Sequence, residues 1–111
     1  MYSGLLFQEK YFWGNNSNDV GTHNYDYTAD SDGIYLAILI SAASDKSSGN
    51  WGSSITTTGT ILNQTDHSAS GNMGYTQRTY LISCSAGDTI TMFVSCHYYA
   101  TSFKQVLKVS N

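Results

Sequence analysis

The chain has 111 residues, a formal net charge of −3 and 12% charged residues, so its length is that of a single domain. The low charge content excludes a coiled coil and a charge-rich disordered tail, and five scattered Lys and Arg residues form no basic stripe for nucleic acid. Hydrophobic residues make up 41% of the chain, which is enough for an apolar core.

The first half of the chain is predicted to form three strands, since its short apolar or alternating stretches have no sustained helical spacing. We expect a first strand at Leu5–Trp13, a polar turn-rich stretch at 14–21 and a short strand at His23–Thr28. A turn at Asp30–Gly33 leads into Ile34–Ile40. This last stretch is apolar on both faces, which predicts a central strand covered from both sides.

The second half is predicted to contain four more strands. A β-branched strand is expected at Ser54–Leu62, with a kink at Gly59, followed by a loop at Asn63–Asn72. Tyr75–Cys84 and Asp88–His97 are expected to pair as a hairpin across a tight turn.

The two cysteines, Cys84 and Cys96, fall on the apolar face of this predicted hairpin but do not oppose each other. We expect two buried free thiols, with a disulfide as the alternative. The last strand covers Ser102–Val109, where Phe103, Leu107 and Val109 alternate loosely with lysines.

These seven strands fit a single all-β domain over residues 1–111. We expect a compact jelly-roll sandwich, which would have about eight to ten antiparallel strands in all. The longest apolar run is too short to span a bilayer, and the first residues lack the pattern of a signal peptide. We therefore expect a soluble or assembly-borne domain without membrane insertion, and the C-terminal piece of a longer fibre protein is one reading of it.

Four segments resemble the globular head domain of complement component one q and its tumour-necrosis-factor relatives. They are Tyr25–Ala29, Asp32–Leu36, Ile82–Ile90 with its Gly-Asp turn, and Phe103–Leu107. The order and spacing of these segments agree with that family from Tyr25 to the end of the chain. The resemblance implies a jelly roll that assembles as a homotrimer.

The implied trimer gives a use for the doubly apolar stretch Ile34–Ile40. One face would fill the sandwich, and the other would pack near the threefold axis together with Tyr35, Leu81 and Phe93. The alternative is that a second layer of the same monomer covers this face.

Catalytic and metal-binding patterns are weak in this sequence. The three histidines have no metal-ligand spacing, and no Gly-x-Ser-x-Gly motif is present, so we expect no enzymatic activity. Asp26, Asp30 and Asp32 could hold calcium, although carboxylates before Gly33 also suit an ordinary turn. No other cofactor is expected.

Several predicted loops are rich in Tyr, Trp, Asn, Ser and Gly, the residues that paratopes and glycan sites use. The alternative is that Trp51 packs beneath its own loop and that Tyr98 and Tyr99 pack at the trimer seam. The candidate ligand-binding residues are Asn50, Trp51, His67, Tyr75, Tyr98 and Tyr99.

The leading interpretation is a non-enzymatic trimeric adhesion head that binds a cell-surface glycan or protein receptor. Few charges, many hydroxyl residues and no disulfide pattern favour the tip of a phage tail fibre or a bacterial surface fibre, hence a virion or cell-surface location. The alternatives are a structural trimerisation or capsid-decoration module and a monomeric carbohydrate-binding module.

Overall fold

The strands account for nearly all of the part of the chain that the computed structural model describes, residues 4–13, 20–43, 52–69, 74–97 and 100–110. No helix occurs in these ranges, so the all-β prediction is confirmed. The described strands are β1 (Leu5–Trp13), β2 (Val20–Thr28), β3 (Gly33–Ala43), β4 (Ser53–Thr57), β5 (Thr60–Ala69), β6 (Gly74–Cys84), β7 (Thr89–His97) and β8 (Ala100–Ser110).

These strands form two antiparallel sheets that face each other in a sandwich. The larger sheet has the order β1-β8-β3-β6-β5, and the smaller sheet has the order β2-β7-β4. Within the described ranges, the sheets meet at a single parallel bridge between Ala43 and His97. Most connections carry the chain from one sheet to the other, so residues far apart in sequence become neighbours.

The central position of β3 agrees with its doubly apolar sequence. It pairs with β6 on one side and β8 on the other. Its inward side chains Tyr35, Ala37 and Leu39 have no exposed surface. The Tyr35 hydroxyl donates a hydrogen bond of 2.6 Å to the Ser31 carbonyl, which satisfies a polar group inside the core.

The predicted hairpin between β6 and β7 is wrong. β6 pairs with β3 and β5, whereas β7 pairs with β2 and β4 in the other sheet. The inward residues of β6 therefore face those of β7 across the core instead of lying beside them. Alternation is the same in both arrangements, so the sequence pattern alone did not separate them. The connecting turn contains Gly87 with φ of +93°, which suits glycine.

The stretch predicted as one kinked strand, Ser54–Leu62, is two strands in different sheets. The chain crosses between the sheets at Thr58 and Gly59. A Cβ at Gly59 would lie 2.6 Å from the Ser83 carbonyl oxygen, so only glycine fits this crossing. The expected loop at Asn63–Asn72 is also wrong over 63–69, because β5 continues there as an edge strand paired with β6.

Cys84 and Cys96 are both buried and free, as expected. Burial raises the pKa of each thiol, which keeps it protonated and unreactive. In the strand pairing, Cys84 lies opposite Gly33 and Cys96 lies opposite Gly21. The described residues include no helix with the length and apolar character needed to cross a bilayer.

Candidate functional site

The two ends of the sandwich differ in their connections. Because paired strands run antiparallel, the short connections 29–32, 58–59 and 85–88 lie at one end, which we call the turn end. Gly4 also lies there, where its carbonyl accepts a 2.7 Å hydrogen bond from the Lys108 N–H. The opposite end, the loop end, is where four strands finish, at Trp13, Ala43, Ala69 and His97.

Four of the six candidate ligand-binding residues lie outside the described part of the chain: Asn50, Trp51, Tyr98 and Tyr99. In sequence, each lies in a connection between strands whose flanking ends are at the loop end. The other two, His67 and Tyr75, are brought together on the outer face of β5 and β6. Their ring centroids are 5.9 Å apart at an interplanar angle of 44°.

The outer face of the larger sheet has a shallow depression beside these rings. It has a volume of about 180 Å³ and is lined by Leu36, Asn63, Thr65, Thr79 and Leu81. Its lining combines apolar side chains of the central strands with amide and hydroxyl groups of the edge strand. This mixture can contact a neutral polar molecule or an apolar protein surface.

The three candidate trimer residues occupy three different environments. Tyr35 was expected at the trimer contact, but its side chain points into the sandwich and has no exposed surface. It therefore cannot contact another chain. Leu81 is half-buried on the outer face of the larger sheet, whereas Phe93 is 37% exposed on the outer face of the smaller sheet. Leu81 and Phe93 therefore lie on opposite sides of the molecule.

The larger sheet has a broad apolar outer face, with half-buried side chains from three neighbouring strands. β3 is central, and register pairs its Leu36 with Leu81 on β6 and with Leu107 on β8. We call this surface the outer apolar face, and its residues are Ile34, Leu36, Ile38, Ile40, Leu81, Phe103 and Leu107. No other layer of the described chain covers it.

The proposed calcium ligands do not come together. Asp32 accepts a 2.8 Å hydrogen bond from the Ala86 N–H and so links two turns. Asp26 is exposed in β2, opposite Thr91, and Asp30 is exposed in the turn. Within the described ranges, no three His, Cys, Asp or Glu side chains are placed to hold a metal ion. The hydrogen bond between the two turns is therefore sufficient to explain the carboxylate of Asp32.

A charged cluster that the sequence did not predict lies inside the sandwich. Lys104 has no exposed surface, and its Nζ donates a 2.8 Å hydrogen bond to Glu9 Oε1. His23 Nδ1 lies 2.8 Å from the same oxygen, and because a carboxylate has no proton to give, His23 is the donor. Tyr11 stacks on the His23 ring, with centroids 4.3 Å apart. The cluster joins β1 and β8 of one sheet to β2 of the other.

Electrostatics favour the charged form of Glu9. Burial opposes its ionisation, but the hydrogen bond and positive charge of Lys104, together with His23, lower the pKa of the Glu9 carboxyl. Strand alternation gave no signal for this cluster, because Ser102, Lys104 and Val106 form the buried face of β8, whereas Phe103 and Leu107 on the other face are the more apolar residues.

Comparison with known proteins gives no relative from which a function could be transferred. No protein-family model, no curated protein and no solved structure matches this chain.

Proposed function

We propose that the chain is a non-enzymatic homotrimeric head of a phage or bacterial surface fibre that binds a cell-surface glycan or protein receptor at its loop end. The observation that supports this most directly is that the four connections 14–19, 44–52, 70–73 and 98–99 are all flanked by strand ends at one end of the sandwich. Binding residues are disproportionately found on loops positioned by a rigid scaffold. The segments that join these strand ends contain Asn50, Trp51, Tyr98 and Tyr99.

A jelly roll related to the complement one q and tumour-necrosis-factor heads is the fold that we propose for this sandwich. The strand order supports it, since most consecutive strands alternate between the two sheets instead of forming one meander. The first strand, β1, also pairs with the last strand, β8, in the larger sheet.

A second copy of the chain is the proposed cover for the outer apolar face. This face brings together seven half-buried apolar side chains on adjacent strands, and such a contiguous apolar surface marks an interaction site. Three copies of one weak binding site then act together, which raises the apparent affinity without any new contact.

The test is binding of the purified protein to an immobilised glycan array. We expect Trp51→Ala and His67→Ala each to weaken binding by about tenfold or more, because truncating a central aromatic contact typically costs this much. Ser85→Ala, an exposed substitution at the turn end, is the matched control and should bind as the wild type does.

Each alternative has a distinct outcome in this experiment. A trimer that binds no glycan and no host cell would support a structural trimerisation or decoration module. A monomer that binds glycans would support a carbohydrate-binding module. Loss of folding in Trp51→Ala would place Trp51 in a core and remove it from the ligand site.

A further inference from the structure

Three buried polar atoms have no hydrogen-bond partner, and all three lie towards the loop end of the interior. They are Ser41 Oγ, Ser53 Oγ and Arg78 Nε, the full set of such side-chain atoms in the described ranges. Buried polar groups in folded proteins almost always bond to protein, water or a ligand. These three unpaired atoms lie on three different strands, and together they indicate a binding site for a polar group.

The three side chains face the space between the sheets. On β6, Arg78 shares its parity with the buried Tyr80. On β3, Ser41 has no exposed surface and is opposite Thr76, while Leu39 is opposite Arg78. Ser41 is thus a diagonal cross-strand neighbour of Arg78, within reach of its long side chain.

Ser53 approaches this region from the smaller sheet. It begins β4, which contacts both β3 and β6 across the sandwich. Two residues further along, Ile55 packs on the apolar core. Ser53 therefore faces inward, as Ile55 does, and lies two residues closer to the loop end.

Arg78 also has no ionic partner among the described residues. The only ion pairs among the described side chains are those of Glu9 with His23 and with Lys104. Asp66 is opposite Arg78 on β5, but its carboxylate accepts hydrogen bonds from Gln64 Nε2 at 3.1 and 3.4 Å instead. A half-buried guanidinium with free donors matches a carboxylate in a bidentate arrangement.

We propose that Arg78, Ser41 and Ser53 form a binding site for the carboxylate of an acidic sugar. This inference rests on the proposed glycan binding at the loop end and names the class of its ligand. Arg78 supplies the charge and planar donors, and the two hydroxyls bond the carboxylate or adjacent ring hydroxyls. A sugar is preferred to an acidic peptide because the site belongs to the proposed glycan-binding end. Of the inward neighbours of Arg78, Thr76 and Gln64 are neutral and Asp66 is negatively charged.

The experiment is a titration of the full chain with glucuronate and with glucose, followed by nuclear magnetic resonance. The two sugars differ in the carboxylate, so we expect glucuronate to bind at least tenfold more tightly. Arg78→Gln should abolish this difference, and Arg78→Lys should restore part of it because the charge returns without the planar fork. Lys10→Gln, which removes an exposed cation on β1, is the matched control and should keep the difference.

Asp66→Asn tests the nearest carboxylate. Removing this negative charge should tighten glucuronate binding and leave folding unchanged. Destabilisation without a change in affinity would show that Asp66 pairs with Arg78 in solution, and the site would be rejected. Equal affinity for the two sugars, or an unchanged preference in Arg78→Gln, also overturns the proposal.

Two further outcomes separate this inference from the proposed function. Tighter binding of a triglutamate peptide than of glucuronate would overturn the sugar assignment in favour of an acidic peptide. Array binding that depends on Trp51 but shows no preference for acidic glycans would overturn the Arg78 site and leave the adhesion-head proposal intact.

Discussion

Lys104 illustrates how a single charged side chain can organise the interior of a small sandwich. Its ammonium has no exposed surface and depends on Glu9, which lies 95 residues away in the sequence, for its counter-charge. Removing one partner of a buried ion pair leaves an uncompensated charge. The pair therefore ties the first described strand to the last.

Glu9→Gln should lower the free energy of unfolding by about 3 kcal/mol, because it leaves Lys104 buried without a counter-charge. Urea unfolding followed by circular dichroism measures the change. Asp26→Asn, the same kind of substitution at an exposed position, should change stability by less than about 0.5 kcal/mol. Equal effects of the two substitutions would contradict a role for the ion pair.

The same carboxyl predicts a dependence on pH. The folded-state pKa of Glu9 is lowered, so its stabilising contribution is complete above the ordinary carboxyl pKa. It is lost as the pH falls through the lowered pKa, because protonation removes the charge that Lys104 needs. Urea titrations at a series of acidic pH values should show the wild type losing more stability than Glu9→Gln. Parallel losses in the two proteins would refute this assignment.

The loose alternation in β8 did not indicate which of its faces is the inner one. Phe103 and Leu107 are more hydrophobic than Ser102 and Lys104, so hydrophobicity alone favours them for the inner face. In the structure Ser102 and Lys104 face inward. The reason is the distant Glu9, whose charge compensates the lysine, together with a second apolar face on the larger sheet. Neither is visible within the strand itself.

At the scale of elements, the crossing from β4 to β5 is closely packed. Gly59 lies against the backbone of β6, and the neighbouring Thr57 Oγ1 donates a 2.6 Å hydrogen bond to the Thr89 carbonyl of β7. Thr58 continues this network, since its hydroxyl accepts a 2.9 Å hydrogen bond from the Thr89 N–H. The crossing thus connects both sheets at the turn end.

Gly59→Ala should destabilise the fold by about 1–3 kcal/mol, because the new methyl group would overlap a backbone oxygen that has little freedom to move. Thermal unfolding measures the loss. Gly52→Ala is the matched control: nothing lies within 4 Å of the Cβ it would gain, so its midpoint should stay close to that of the wild type. A Gly59→Ala midpoint equal to that of Gly52→Ala would contradict the packing at the crossing.

Most strands could be predicted from sequence, whereas their partners could not. The bounds of β1 were predicted as observed, and β3 was correctly expected at the centre. β5 was missed over 63–69, where the side chains of 63–67 are polar and exposed and carry no burial pattern. Its strand conformation depends on backbone hydrogen bonds to β6, which the side-chain sequence does not report.

At the scale of the whole molecule, we predict that assembly of the trimer depends on the outer apolar face. Ile38→Lys places a charge at its centre, on β3, where burial in an interface would leave it unpaired. Light scattering of the wild type should give three times the chain mass of 12.1 kDa, and the variant should give the mass of one chain.

Thr56→Lys is the control for this experiment, because Thr56 is exposed on the outer face of the smaller sheet. It should remain trimeric. A monomeric wild type, or a variant Ile38→Lys that stays trimeric, would exclude this face as the subunit contact. Calcium chelation gives no expected change in mass, since Asp26, Asp30 and Asp32 lie apart.

The location of the candidate site was only partly predictable. Composition singled out the aromatic and amide residues of several predicted loops, and the observed topology places the flanking strand ends at one end of the sandwich. Tyr35 was misassigned because its strand is apolar on both faces, so hydrophobicity could not tell inside from outside. Arg78 was not singled out, since an isolated arginine in an alternating strand has no distinctive sequence signal.

The antiparallel pairing of β1 with β8 has a mechanical consequence. Gly4 and Ser110 both lie at the turn end, so a tether attached at either point is separated from the loop end by the length of the strands. A pulling force between such a tether and a ligand held at the loop end would act along the strands. The hydrogen bonds between neighbouring strands are perpendicular to that direction. The bonds of each ladder would then be loaded together in shear. The domain would therefore withstand a larger force in this direction than one that separates the same strands one bond at a time.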